Sequence, residues 1–243
     1  MHVAIVSDIH ANRHAFEAVL TEIRDAGAAE VWCLGDLVGY GGEPDACVAL
    51  AREHVAICLA GNHDLAVTGE LPMDDFSRGA GISARWTQDV IAPAHLAFLR
   101  ELRPAGAEGE FGLYHASPRD PVWEYVLSDL LAERCFDEAE QRVCFIGHSH
   151  VALAFTREDH GRTTGALREA GQTADVRERL WLLNPGSVGQ PRDGDPRAAW
   201  LLLDTEAGRA EWRRTRYDVE GAAAAIRAAG LPDSLAERLG YGQ

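Results

Sequence analysis

The chain has 243 residues, 47% hydrophobic and 25% charged, values ordinary for a soluble globular protein of one large domain or two small ones, which excludes disorder for the bulk of it. Its 23 basic residues, all of them Arg, stand against 38 acidic ones for a net charge of −15. That balance excludes a general coat for nucleic acid or an anionic membrane surface, and leaves room for a local positive site, metal or Arg, that holds one phosphate.

In chain order, a strand is predicted at 2–7, a helix at 13–26 with Phe16, Val19, Leu20 and Ile23 on one face, and a strand at 31–34. A helix at 44–54 begins with Pro44, where a first-turn proline is welcome. Strands at 55–60, 111–114 and 143–146 follow, with a helix at 83–102 between the first two. The last hundred residues read as consecutive strands at 151–156, 180–183, 198–203 and 210–217, joined by Gly-, Asp- and Pro-rich turns, then an Ala-rich helical tail at 219–239 broken at Gly230-Leu231-Pro232. The expectation is an α/β core of strands buried on both faces, with a second, largely antiparallel sheet packed on it. A single domain over 1–243 is expected, with helical cap segments at 72–104 and 117–140.

No apolar run reaches the roughly 18 residues that span a bilayer. The opening MHVAIVSDIH lacks the basic start and cleavage site of a signal peptide. Cys33, Cys47, Cys58, Cys135 and Cys144 are odd in number and form no CxxC. They read as reduced thiols of a cytoplasmic protein.

The chemistry lies at the strand ends. The five N-terminal strands finish in Asp8-Ile9-His10, Gly35-Asp36, Gly61-Asn62-His63-Asp64, His115 and Gly147-His148-Ser149-His150. Ligands of open α/β sheets bind at the carboxyl ends of strands, so these tips should converge. Asp8/His10 and His148/His150 are i, i+2 pairs, which at a strand end point the same way. Asp, Asn and His without thiolate suit Mn, Fe, Zn or Mg better than Cu(I) or an iron–sulfur cluster. Seven candidate ligands are too many for one ion that keeps a position open for water, and two ions sharing a carboxylate is the natural solution.

These five blocks, in this order, resemble the calcineurin-like metallophosphoesterases (DxH, GDxx, GNHD/E, a lone His, GHxH). The surrounding SDIHANRHAFEAV, GDLVGYG, HASPRDPVWEY and NPGSVGQPRDGDP are similar to the small prokaryotic branch. The resemblance covers about the whole chain. It implies a four-layer α/β/β/α sandwich of two mixed sheets flanked by helices. It also implies two divalent metal ions, Mn foremost, with Fe, Zn, Ni or Mg as alternatives. Asp8, His10 and His150 would hold one ion, Asn62, His115 and His148 the other, and Asp36 would bridge them. His63 would act as general acid or transition-state stabiliser, oriented by Asp64. Two cations about 3.5–4 Å apart would lower the pKa of a bridging water for in-line attack on phosphorus. The implied activity is a phosphodiesterase or phosphatase acting on a small, nucleotide-like phosphoester, with no membrane or long nucleic acid as partner. The alternative is a non-catalytic scaffold of the same fold. Gly35-Asp36 continues Leu-Val-Gly-Tyr-Gly, without the further Asp-Arg of the eukaryotic Ser/Thr phosphatases, which counts against protein-phosphatase recognition.

Other residues are read less sharply. Asn12 either caps the following helix or lies near the phosphate. Arg119 reaches a substrate phosphate or pairs with an acidic neighbour, the balance slightly toward substrate. Trp123 and Tyr125 either stack on a nucleobase or anchor the cap, the balance toward core packing, and surface or packing is the reading for His2, His14, His54, His95 and His160. The Asn184-Pro185-Gly186-Ser187 stretch and the turn 191–196 either border the site or are simply turns.

Overall fold

The computed structural model describes residues 1–158 and 161–243. Strand and helix alternate through the first part: β1 (His2–Val6), α1 (Arg13–Asp25), β2 (Glu30–Cys33), α2 (Pro44–His54), β3 (Ile57–Cys58) and α3 (Asn62–Thr68). Next come α4 (Arg78–Val90), α5 (Pro93–Glu101), β4 (Ala105–Glu108), β5 (Phe111–Tyr114), α6 (Asp129–Glu138) and β6 (Val143–Phe145). Six strands follow, β7 (Leu153–Arg157), β8 (Thr163–Leu167), β9 (Thr173–Asp175), β10 (Leu180–Asn184), β11 (Ala198–Asp204) and β12 (Arg209–Thr215), before α7 (Val219–Ala228) and α8 (Asp233–Glu237).

The helix predicted at 83–102 is two helices. Pro93 cannot donate into a continuing helix, so α4 ends at Val90 and α5 starts at the proline. Within the cap segment expected at 117–140, α6 buries Ala132, Cys135 and Phe136 against Phe155 and Leu182, and so belongs to the outer helical layer.

Two six-stranded mixed sheets form, in the orders β3-β2-β1-β11-β12-β9 and β4-β5-β6-β10-β7-β8. This corrects the expected division into an N-terminal and a C-terminal sheet. β11 pairs antiparallel with the free edge of β1, and β10 pairs parallel with β6. The physical reason is burial on both edges as well as both faces: β1 and β6 each need a second neighbour, and the late apolar strands supply it.

Between the sheets, Val3, Ile5, Trp32 and Leu34 meet Leu113, Phe145 and Leu183. Outside the first sheet, Phe16, Val19 and Val48 of α1 and α2 pack on Ala4, Val6 and Trp200. The result is the four-layer α/β/β/α arrangement. Buried tryptophans tie it together. The Trp212 indole N–H donates across the sheets to the Asn184 carbonyl at 2.9 Å, and that of Trp200 to Thr215 Oγ1 at 2.9 Å. Burying one such ring contributes about 2–3 kcal/mol.

The carboxyl ends of the parallel strands β1, β2 and β3 in one sheet and of β5 and β6 in the other lie at a common end of the sandwich. The five tips therefore do converge, but from two sheets.

Candidate metal centre

Beyond Val6 the chain leaves the strand at once. Asp8, His10 and Ala11 have φ of 55°, 50° and 49°, Asp36 has 56°, and His148 and His150 have 64° and 59°. The i, i+2 pairs thus gain their common direction from left-handed turns past the strand ends, not from strand pleating. Left-handed non-glycine residues cost about 1 kcal/mol or more each and persist where the surroundings fix them.

The surroundings are specific. Asp8, His10 and Ala11 donate their N–H groups to the carbonyls of Gly35, Asp36 and Leu37 at 3.0, 2.9 and 2.8 Å, zipping the first two turns together. Ser187 Oγ and the Gly189 N–H both donate to the Asp8 carbonyl, at 2.7 and 2.9 Å. Asn184 Nδ2 donates to the Gly147 carbonyl at 2.8 Å, so residues 184–189 hold the turns of both sheets. Two glycines are required by close approach. A methyl group at Gly61 would stand 1.9 Å from Asp36 Oδ1, and one at Gly35 (φ 103°) 2.5 Å from the Gly61 nitrogen.

The side chains form two groups. Asp8, His10, Asp36 and His150 have ligand atoms mutually within 4.8 Å, as do Asp36, His115 and His148. Asp36 belongs to both. Its Oδ2 is 3.5 Å from His10 Nε2 and 3.6 Å from His115 Nε2, while its Oδ1 accepts from the His63 N–H at 2.9 Å. Asn62 Oδ1 lies 3.2 Å from His115 Nε2. All seven residues are at most 3% exposed.

The histidines are oriented from behind. Nδ1 of His10, His115 and His150 meets the carbonyls of Val38, Leu34 and Gln190 at 3.1, 3.0 and 2.7 Å. A carbonyl only accepts, so each of these Nδ1 atoms carries the hydrogen. Burial, first of all, pushes the pKa of His10, His148 and His150 well below the usual imidazole value, so the rings are neutral and Nε2 of His10 and His150 is bare. Yet His10 Nε2 faces His150 Nε2 at 3.0 Å, acceptor against acceptor. Asp8 Oδ1 and His148 Nε2 are buried with no partner. Burial likewise pushes the Asp8 carboxyl up to about 7 and that of Asp36 well above its ordinary range. Unpartnered lone pairs converging in a dry site are what divalent cations satisfy, and the donor set fits them.

The His63 ring lies against Tyr40, His10 and Phe76, with centroids 4.4, 4.9 and 4.9 Å away, and its buried Nδ1 has no partner. Asp64 does not orient it. The Asp64 carboxylate accepts instead from the backbone N–H groups of Gly61, Asp36, Leu37 and Val38 at 2.9, 2.8, 3.3 and 3.2 Å. Those donors surround it at the start of α3, so it fastens the Asp36 turn rather than the neighbouring imidazole.

Asn12 and Arg119, each weighed between substrate and a structural partner, are engaged within the chain. Asn12 caps α1, accepting from the Ala15 N–H at 3.1 Å, and its Nδ2 donates to the Gly189 carbonyl at 2.9 Å, so both ends are occupied by backbone. Arg119 pairs with Glu124 at 2.9 Å and Glu138 at 3.5 Å and does not line the cavity beside the centre. That cavity, about 410 Å3, includes His63, Trp123, Tyr125 and Arg192 in its wall. Tyr125 stacks on His148 with centroids 4.1 Å apart and is 44% exposed, so it is wall rather than core. Arg192 sits in the turn 191–196, whose composition reads as turn chemistry and conceals it.

Of the remaining histidines, His2, His14, His54 and His95 meet carboxylates away from the centre, and His160 lies outside the described residues. The five cysteines form no disulfide. Among the described residues no helix is long and apolar enough to cross a membrane.

A family model described as the calcineurin-like phosphoesterase superfamily domain matches residues 1–208. A metallophosphoesterase from Sphaerobacter thermophilus, of known crystal structure, is 38% identical and superposes with a TM-score of 0.89, over 100% of this chain and 99% of that one. An uncharacterized protein of Methanocaldococcus jannaschii is 36% identical over 246 residues, 99% of this chain and 98% of its own. A hypothetical protein from Pyrococcus horikoshii OT3, at 17% identity, shares the fold with a TM-score of 0.77 over 100% of this chain and 98% of that one.

Proposed function

This chain belongs to the calcineurin-like phosphoesterase superfamily, and on that premise we propose that it hydrolyses a small, nucleotide-like phosphoester at a centre of two divalent cations. The observation that carries the reading is Asp36, whose Oδ2 lies 3.5 Å from a histidine of one ligand group and 3.6 Å from a histidine of the other. Asp8, His10, Asp36 and His150 would hold one cation, and Asp36, Asn62, His115 and His148 the second, with Mn the first candidate and Fe, Zn, Ni or Mg the others. When bound, such a pair neutralises phosphoryl charge and makes water acidic enough to attack at neutral pH.

The chain's own residues do the rest. The three carbonyl-bonded imidazoles, His10, His115 and His150, keep their Nε2 lone pairs aimed inward, which fixes ligand geometry before any ion arrives. His63 is held neutral, burial lowering its pKa to about 3. An entering phosphate dianion opposes that shift, so the ring gains its proton with substrate and can pass it to the leaving oxygen. The half-exposed Tyr125 and its neighbour Trp123 offer flat apolar faces at the cavity, which supports a substrate bearing a planar ring. No ligand position has been lost to a residue that cannot coordinate, so nothing favours the scaffold alternative.

The test starts from metal-stripped protein given Mn2+, Mg2+, Zn2+ or Ni2+ in turn, with bis-p-nitrophenyl phosphate and p-nitrophenyl phosphate as substrates. Metal-dependent release of nitrophenol is expected, and the faster of the two assigns diester or monoester. No turnover with any metal, despite two ions bound per chain, would overturn the reading.

A further inference from the structure

The cavity wall contains two arginines, Arg192 and Arg238, for which cleavage of a single phosphoester has no evident use. We propose that Arg192 and Arg238 form a subsite for a second phosphate, so that the enzyme selects phosphoesters bearing a further phosphate beyond the one cleaved. This rests on the phosphoesterase reading above.

The two guanidiniums lie in sequence from the centre. The Arg192 N–H donates to the His150 carbonyl at 3.0 Å, and its guanidinium lies 5.6 Å over the Tyr40 ring. Nη2 donates to Gln190 Oε1 at 2.8 Å, whereas Nε is shielded from water and unpartnered. The charge of Arg192 bears on Asp36, His63, His148 and His150, and also on Arg238 in the C-terminal segment. Arg238 is therefore the outer of the pair. Among the described residues neither forms an ion pair with an Asp or Glu side chain, although the chain has 38 acidic residues.

Like charges held together need a scaffold, and one is present. Arg192 rides on the turn 191–196, anchored where the buried Arg214 pairs with Asp193. The Gly194 N–H donates to the Gly242 carbonyl at 3.0 Å, and Arg238 Nε donates to the Gln243 carbonyl, so this turn and residues 238–243 are clasped. An anion between two guanidiniums offsets their repulsion and accepts forked hydrogen bonds from both. The cavity of about 410 Å3 exceeds what one phosphate fills and suits a ligand of nucleotide size.

The test uses Mn2+-loaded protein and two hydrolysis-resistant probes, an AMP phosphonate with one anionic group and α,β-methylene-ADP with two. Calorimetric titration should give the two-anion probe an advantage of roughly tenfold or more, reduced to about threefold or less in Arg238→Gln. Arg238→Met keeps the apolar stem, and it should lose the preference too if Arg238→Gln proves unstable. Equal affinities in the wild type, or a wild-type ratio in the folded variants, would overturn the subsite. Hydrolysis of bis-p-nitrophenyl phosphate and p-nitrophenyl phosphate by the wild type is followed in parallel with each metal. If either is present and the preference is not, only the subsite falls, and if both are absent with every metal the phosphoesterase reading falls.

Discussion

His63 is the residue whose chemistry is most separable from the rest of the centre, because it lies against the ligand groups without belonging to either. His63→Ala is expected to retain both metals by elemental analysis. Its turnover of an alkyl phosphoester should fall about 100-fold or more, and that of a nitrophenyl ester, whose leaving group needs little protonation, should fall less. An unchanged alkyl rate would remove the general-acid role. Asp8 gives a pH signature. With its pKa pushed up to about 7 by burial, a proton occupies this ligand below that pH and must leave before a cation binds. Metal affinity is therefore expected to fall by about tenfold or more per pH unit below about 7 and to level off above it, measurable with a competing chelator. All seven proposed ligands were legible in the sequence because each is a polar residue interrupting the end of an apolar run. Arg192 was not, since Pro191 and Asp193 around it have the composition of any turn.

At the scale of elements, the turns after β1, β2 and β6 are held in left-handed conformations by bonds from other segments, and Asp64 is the knot of the second turn. Asp64→Ala would leave four buried N–H groups without their acceptor. A loss of about 3 kcal/mol or more in denaturant unfolding is expected, against little change for His63→Ala. Comparable stability in the two variants would return Asp64 to the orienting role that adjacency in sequence suggests. The sequence could not reveal this, because consecutive residues at a helix start point in different directions and three of the four donors, Asp36, Leu37 and Val38, lie 26–28 residues before Asp64. Helix starts were easier: Asn12 and Pro44 carry their own signals. β8 (Thr-Thr-Gly-Ala-Leu) is exposed from Thr164 to Leu167 and β9 (Thr-Ala-Asp) at both ends, so neither has a buried apolar run to announce it.

For the whole molecule, the centre joins the two sheets, since Asp8, His10, Asp36 and Asn62 come from the tips of one and His115, His148 and His150 from the other. Cations that bind only this arrangement stabilise the fold by about 2.7 kcal/mol per site at a hundredfold excess over the dissociation constant, so chelation should lower the melting temperature by several degrees. The metal-free protein should also weaken as pH falls from 7 to 5.5. Five buried imidazoles (His10, His63, His115, His148, His150) have lowered pKa values, so the stability they contribute is complete above about 6.5 and lost as the unfolded chain takes up protons below it. Asp8, Asp36 and Asp64, raised, work in the opposite direction but are three against five. A higher urea midpoint at pH 5.5 than at 7 would contradict this. Which sheet each strand joins was the part of the fold hidden from the sequence, because β1 finds its neighbour β11 nearly two hundred residues later.

That long-range pairing sets a timetable for biosynthesis. Every proposed ligand has emerged from the ribosome by His150, while β10 and β11, which complete the two sheets, and residues 184–189, which hold their turns, are still to be made. The growing chain therefore presents seven coordinating side chains with nothing to gather them, and metal capture must wait until the chain has passed Asp204. A chain arrested at residue 170 should bind Mn2+ no better than a denatured peptide, although it contains all seven.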